Sequence, residues 1–430
     1  MPLRLSSQAP DFEAEFAHLL GLKREASVEV GATVAEILAD VRGRGDEALI
    51  ELTERFDRQR LTLSTLRFTP EEIDQAALSV EPDVREALAL AHSRIVAHHQ
   101  KQKPQDSIYT DAIGVTLGTR WTPLDAVGIY VPGGLASYPS SVLMNAVPAH
   151  VAGVKRIAMV VPTPDGIVNP AILAAAHLAG VTEIYRIGGA QAIAALAYGT
   201  ATIAPVAKIV GPGNAYVAAA KRQVFGTVGI DMIAGPSEVL VIADGSANPA
   251  WVAADLLAQA EHDSAAQSVL ITTDPALADA VEKEVERQLA LLPRAGIAGA
   301  SWRDFGAVVT VTDSAEALAL ANRMAPEHLE LAVDDPQSLL PGVRNAGAVF
   351  LGHHTPEAIG DYVGGSNHVL PTARSARFAS GLGVLDFVKR TSVLGCTPSS
   401  LAALGPAAVT LAETEQLAGH GRSVSIRLNR

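Results

Sequence analysis

A single cysteine, Cys396, stands among 430 residues, so the chain has no intrachain disulfide to make. A secreted scaffold stapled by cystines is excluded, and a reducing, cytoplasmic compartment is expected. Cys396 sits in Leu-Gly-Cys-Thr-Pro with no flanking base, so it reads as a packing thiol rather than a nucleophile. Aromatic residues make up only 4% and charged residues 18%, which leaves Ala, Val, Leu and Ile to build the cores. Positive charge is in deficit. The formal net charge of −13 excludes a basic surface that tracks phosphates, so nucleic acid is not an expected partner. Long apolar runs are missing too: Ala171 to Ala176 is short, alanine-based and soon interrupted, and no membrane span is expected. The first residues mix Arg4, Asp11, Glu13 and Glu15 among apolar ones, unlike a secretory signal.

What is abundant is hydrophobic residues, at 48%, and glycine, with 36 positions available for strand-to-helix turns. Apolar residues recur at helical spacing over Phe12 to Leu22, Val34 to Phe56 and Glu71 to Gln102, which predicts a helical entry. Thr69-Pro70-Glu71-Glu72 reads as a cap with proline in the first turn. The rhythm then changes. Strand-like runs at Val127 to Val131, Arg156 to Val161, Glu183 to Ile187 and Ala207 to Val210 alternate with alanine-rich helical segments. A second series follows at Val239 to Ala243, Ser268 to Thr273, Ala307 to Val311 and Ala346 to Leu351. Such alternation predicts an α/β fold with two doubly wound parallel sheets, and a last helix over Ser399 to Gln416 forms a tail.

Four clusters carry groups capable of chemistry. Gln259 and His262 are three residues apart on one helix, so they share a face and can converge on an ion, although a solvated helix end looks the same. Glu327 and His328 follow a helix and a proline; His328 suits a general base, and the competing reading is a polar helix start. Asp361 and His368 lie in a loop with paired glycines, which suits close approach of backbone to a ligand or metal, or is an ordinary turn. Glu415 and His420 end the last long helix. No G-x-G-x-x-G fingerprint follows the early strands, but Ile187-Gly-Gly-Ala-Gln191 and Ile209-Val-Gly-Pro-Gly-Asn214 form strand-to-helix turns able to hold a phosphate.

Taken in order, these segments resemble the histidinol dehydrogenase family. The matching strings are Tyr130-Val-Pro-Gly-Gly, Tyr138-Pro-Ser-Ser-Val-Leu-Met-Asn-Ala, Gly211-Pro-Gly-Asn-Ala-Tyr-Val and Asp231-Met-Ile-Ala-Gly-Pro-Ser-Glu. They continue with Asp255-Leu-Leu-Ala-Gln-Ala-Glu-His-Asp, Ala325-Pro-Glu-His-Leu-Glu and Gly365-Ser-Asn-His-Val-Leu-Pro. The resemblance implies two incomplete Rossmann-like domains, which would account for the missing fingerprint. Residues 29–129 with 237–382 would form the metal-bearing domain and 130–236 the NAD-binding one. A helical segment over 1–28 precedes them, and a tail over 383–430 reaches the partner of a homodimer.

It also implies Zn2+ held by Gln259, His262, Asp361 and His420, with His420 supplied across subunits. NAD would contact Tyr130, Gln191 and Asn214. His328 would act as general base and Glu327 would activate water. Ser237, His368 and Glu415 would touch the substrate alongside the metal ligands and the catalytic pair. The implied reaction is the four-electron oxidation of L-histidinol through its aldehyde, at the end of histidine biosynthesis. Dehydrogenases of sulfonated diols share the scaffold, and a zinc hydrolase is a more distant alternative.

Overall fold

A computed structural model describes residues 2–22, 30–133, 138–233 and 235–429. Part of the Tyr130 string, Ala234 in the Asp231–Glu238 string and the expected boundary near residue 28 lie outside the described residues. The two parallel sheets are present. The first has strand order Leu3–Ser6, Ala307–Thr310, Gln267–Thr272, Glu238–Ala243, His328–Ala332, Ala348–Leu351. The second runs Glu183–Tyr185, Arg156–Val160, Ala126–Tyr130, Lys208–Val210, Gly229–Ile230. A third, antiparallel sheet pairs Thr116–Pro123 with both Ser107–Thr110 and Val388–Gly395.

Each parallel sheet is covered on both faces, which is why its central strands are uninterrupted apolar runs. Glu238–Ala243, Gln267–Thr272 and Ala126–Tyr130 are buried at every position. One side of the first sheet packs Leu240, Ile271 and Val309 against Phe16 and Leu320, and the other packs Val241 and Leu270 against Leu256 and Val281.

The helical entry covers a different sheet from the one expected. Val34, Val41 and Leu49 pack with Ile193 and Leu196 on one face of the 126–230 sheet, while Ile73 and Ile95 pack with Leu143 and Ile172 on the other. Residues 30–100 thus share cores mainly with 130–236, joined by Val369 and Leu382 from 237–382. A five-stranded sheet with too few helices of its own must recruit cover from elsewhere in the chain. The N-terminal segment is not wholly helical either: Leu3–Ser6 is an edge strand beside Ala307–Thr310. Four residues are too short a stretch to show periodicity.

Each of the two long predicted helices is broken in two. Gly31–Arg44 and Asp46–Asp57 meet at Gly45, whose φ of +59° suits glycine. Pro70–Ser79 and Pro82–Gln100 are separated by extended Val80 and Glu81, as the residue before a proline requires. The Thr69 cap is a full capping box: Thr69 Oγ1 accepts the Glu72 N–H at 3.2 Å, and Glu72 returns a carboxylate oxygen to the Thr69 N–H at 2.8 Å.

Candidate active site

Two neighbouring strands of the first sheet begin side by side, and their first residues carry the charged groups. His328 opens His328–Ala332, in register with Val239 on one side and Ala348 on the other. His328 therefore starts a strand with Glu327 just before it, and the helix-start reading is overturned. His328 is 4% exposed. Its Nδ1 lies 2.9 Å from the main-chain oxygen of Glu238. A carbonyl only accepts, so the proton sits on Nδ1 and the Nε2 lone pair is left free, with no partner of its own. Burial depresses the imidazole pKa, against the opposing pull of Asp361. The ring is neutral and basic at Nε2.

Glu327 is buried beside it. One carboxylate oxygen accepts the Glu238 N–H at 3.0 Å, and the side chain also bonds Ser237. Burial pushes this carboxyl well above the usual range, and these two hydrogen bonds pull it back. The acid is thus poised where a nearby cation would decide its charge.

Asp361 brings its Oδ1 to 3.8 Å from His328 Nε2. It lies on the short helix Glu357–Tyr362, and its carbonyl accepts from Nδ1 of His368 at 2.9 Å. The Ser141 hydroxyl reaches His368 Nε2 at 3.3 Å. From the helix Pro249–Ala260 comes Gln259, fully buried, with neither its amide oxygen nor its nitrogen partnered. His262, just past that helix, gives its Nδ1 proton to the Ala258 carbonyl at 3.0 Å, and its Nε2 is then free. His262 lies close enough to His328 and His368 to oppose protonation of both.

Gln259, His262 and Asp361 fit a metal ion. A buried amide without a partner costs free energy that a coordinated cation would recover, and the set offers one amide oxygen, one imidazole nitrogen and one carboxylate.

The fourth expected ligand is elsewhere. His420 lies on the exposed helix Ala418–Ser425, and Glu415 is exposed just after Pro398–Thr414. Among the described residues no three His, Cys, Asp or Glu side chains gather closely enough to hold a metal. His420 therefore does not join His262 and Asp361 within one chain.

In the second sheet the strand order reverses between Ala126–Tyr130 and Lys208–Val210, the position where open α/β sheets leave a crevice at their carboxyl ends. Tyr130 ends one strand there, and the Gly211-Pro-Gly-Asn214 turn follows the other. The buried Tyr130 hydroxyl accepts the Gly189 N–H at 3.1 Å, and burial pushes its pKa up to about 12. Gln191 is buried in the first turn of Gly189–Tyr198. Asn214 caps Ala215–Val224 through its side-chain oxygen. Gly211, with φ +106°, passes so close to the Tyr130 carbonyl that a Cβ would lie 2.1 Å from its oxygen. Only glycine fits.

Comparisons with known proteins identify the family. A family model described as histidinol dehydrogenase matches residues 22–428. The chain is 67% identical to the histidinol dehydrogenase of Rhizobium meliloti, covering 100% of this chain and 99% of that one. It is 65% identical to that of Mesorhizobium japonicum over the full length of both. The crystal structure of histidinol dehydrogenase from Elizabethkingia anophelis superposes with a TM-score of 0.95 at 38% identity, covering 100% of this chain and 98% of that one. The chain belongs to the histidinol dehydrogenase family. It is an oxidoreductase.

Several residues of this histidinol dehydrogenase fold support the site without having been singled out in the sequence. Glu238 gives main-chain groups to both Glu327 and His328, and its own carboxylate takes the Ala373 N–H at 3.0 Å. Asn367, between the loop glycines and His368, donates to the Met144 carbonyl at 2.6 Å and ties the loop to the Pro139–Ala152 helix. Behind His328 lie two buried acids, Glu330 and Glu357, and the half-buried Asp255. Glu330 accepts the Glu357 N–H at 2.7 Å and shares a hydrogen bond with Asp255. Burial raises all three, Asp255 to about 6. Their only sequence signal was an acidic residue inside an otherwise apolar strand or helix face.

Proposed function

We propose that this chain oxidises L-histidinol through its aldehyde to L-histidine, passing a hydride to NAD in each of two steps. The observation that carries the reading is the His328 imidazole, with Nδ1 committed to Glu238 and Nε2 free beside Asp361. Its curated relatives bear the name histidinol dehydrogenase.

In the first step Nε2 of His328 takes the hydroxyl proton of the alcohol while hydride leaves the carbon bearing that hydroxyl for NAD. The Glu238 carbonyl stabilises the resulting imidazolium through Nδ1–H. In the second step Glu327 removes a proton from the water that adds to the aldehyde, and a second hydride leaves the hydrate. The first step releases one proton with its hydride and the second releases two, because its product is a carboxylate whose second oxygen comes from the added water. Ser237 holds Glu327, and Asp361 with Ser141 holds His368, which then stands at the substrate. NAD would lie along Tyr130, Gln191 and Asn214, with its phosphates at the glycine turns.

Zn2+ would be held by Gln259, His262 and Asp361 together with His420 of the partner subunit. When bound it would supply a Lewis-acid anchor for the amino and imidazole nitrogens of the substrate. This assigns the tail a purpose: a homodimer in which each tail, with Glu415 and His420, completes the other site. The tail helices pack mainly on each other and leave Leu411 63% and Ile426 53% exposed, apolar surface that a second copy would cover.

The test is NADH production from histidinol by the purified protein, with metal analysis before and after chelation. About two NADH per histidinol, lost on chelation and restored by zinc, is the expected result. Turnover without NAD, or a strong preference for a sulfonated diol, would overturn it.

A further inference from the structure

The turn at Gly211 is clamped from below by a buried ion pair. Lys221, on the helix Ala215–Val224, pairs with Asp231, and the two side chains are 4% and 1% accessible. Lys221 Nζ also donates to the Gly211 carbonyl at 3.0 Å, and the other Asp231 oxygen accepts the Gly211 N–H at 2.8 Å. Both main-chain groups of one glycine are thus held by one pair of opposite charges. Asp231 is itself the first residue of the connector to the other sheet, and its N–H bonds the Ile209 carbonyl. At the far end of that connector, Gly235 donates to Thr372 Oγ1 at 2.6 Å and Glu238 holds Glu327 and His328. One eight-residue segment therefore has one end pinned to the nucleotide turn and the other to the catalytic pair.

We propose that Lys221 and Asp231 are positioning residues that set where the bound nucleotide stands relative to His328. The inference rests on the NAD reading above. A pair placed only for stability would not need to take both polar groups of Gly211, because a buried ion pair is often no more stabilising than an apolar pair of the same volume. Its geometry instead fixes the peptide that crosses the Tyr130 carbonyl, where the backbone has least room to relocate.

The test is the double variant Lys221→Met/Asp231→Asn. Either single change strands a charge in the interior, whereas the double variant removes both charges, and asparagine can still accept the Gly211 N–H. Its melting temperature is expected to return towards that of the unaltered protein. Its KM for NAD is expected to rise about tenfold or more, with KM for histidinol and metal content unchanged. An unchanged KM for NAD would overturn the proposal, as would NAD and histidinol constants that worsen together. Should the double variant not fold, Lys221→Arg carries the same comparison, since a planar fork cannot occupy the place of a point ammonium. Thermal shift by NAD alone separates the two readings. No shift in the unaltered protein removes nucleotide binding itself, whereas a full shift retained in the double variant removes only the role of the pair.

Discussion

The Nδ1–H of His328 is fixed on the carbonyl of Glu238 at 2.9 Å, and the two residues open adjacent strands of one parallel sheet. The tautomer of His328 is thus written into the sheet register rather than into a neighbouring carboxylate. His328→Asn keeps a donor towards Glu238 but has no basic nitrogen. We expect its turnover to fall by about 10²–10⁴, with metal content intact. NADH absorbance and metal analysis on the same sample check this, and normal turnover would remove His328 from the role of base.

Gln259 gives an opposite signature. With chelator present its buried amide has no partner, so Gln259→Leu, of similar volume, should stabilise the metal-free protein by about 1–3 kcal/mol. The same variant should hold zinc less tightly. Thermal denaturation with and without chelator reads both effects, and a destabilised metal-free variant would mean that the amide has another partner.

Tail exchange can be tested by mixing two inactive variants. In a hybrid dimer of His328→Asn with His420→Asn, one site would regain an intact His328 together with His420 of the partner subunit. After subunit exchange, roughly a quarter of full activity should return from a one-to-one mixture. If each tail served its own chain, the mixture would stay inactive.

The acids behind His328 give a pH dependence. Asp255 rises from an ordinary value of 3.8 to about 6, chiefly through burial, and shares a hydrogen bond with Glu330. A folded-state pKa above the unfolded one means that the group favours folding while protonated. That contribution is complete below 3.8 and is lost as pH climbs through about 6. Asp255→Asn keeps the shape without the charge, so its melting temperature should exceed that of the unaltered protein by more at about pH 8 than at about pH 5. An equal difference at both would mean that Asp255 is not held protonated.

Much of the scaffold was legible from local pattern. The runs at Arg156 and Glu183 became strands because their apolar residues are contiguous and short, and the Thr69 box formed because all its atoms lie within one turn. His328–Ala332 was missed because Ala325-Pro-Glu-His also suits a helix start, and only pairing to Glu238–Ala243 and Ala348–Leu351 selects the strand. The antiparallel sheet was missed because Thr116–Pro123 is half-exposed and has no buried face to impose alternation.

Local spacing by itself committed this chain to α/β layers, to alanine-rich helices over apolar strands, and to glycine-rich strand-to-helix turns. The order of its motifs pointed to the family and to the residues expected at its site. Tertiary structure decided which sheet the first hundred residues cover, which nitrogen of His328 is free, and that His420 stands apart from Gln259, His262 and Asp361 in a single chain. Those outcomes depend on contacts between residues tens to hundreds of positions apart, and periodicity along a chain carries no information about such distances.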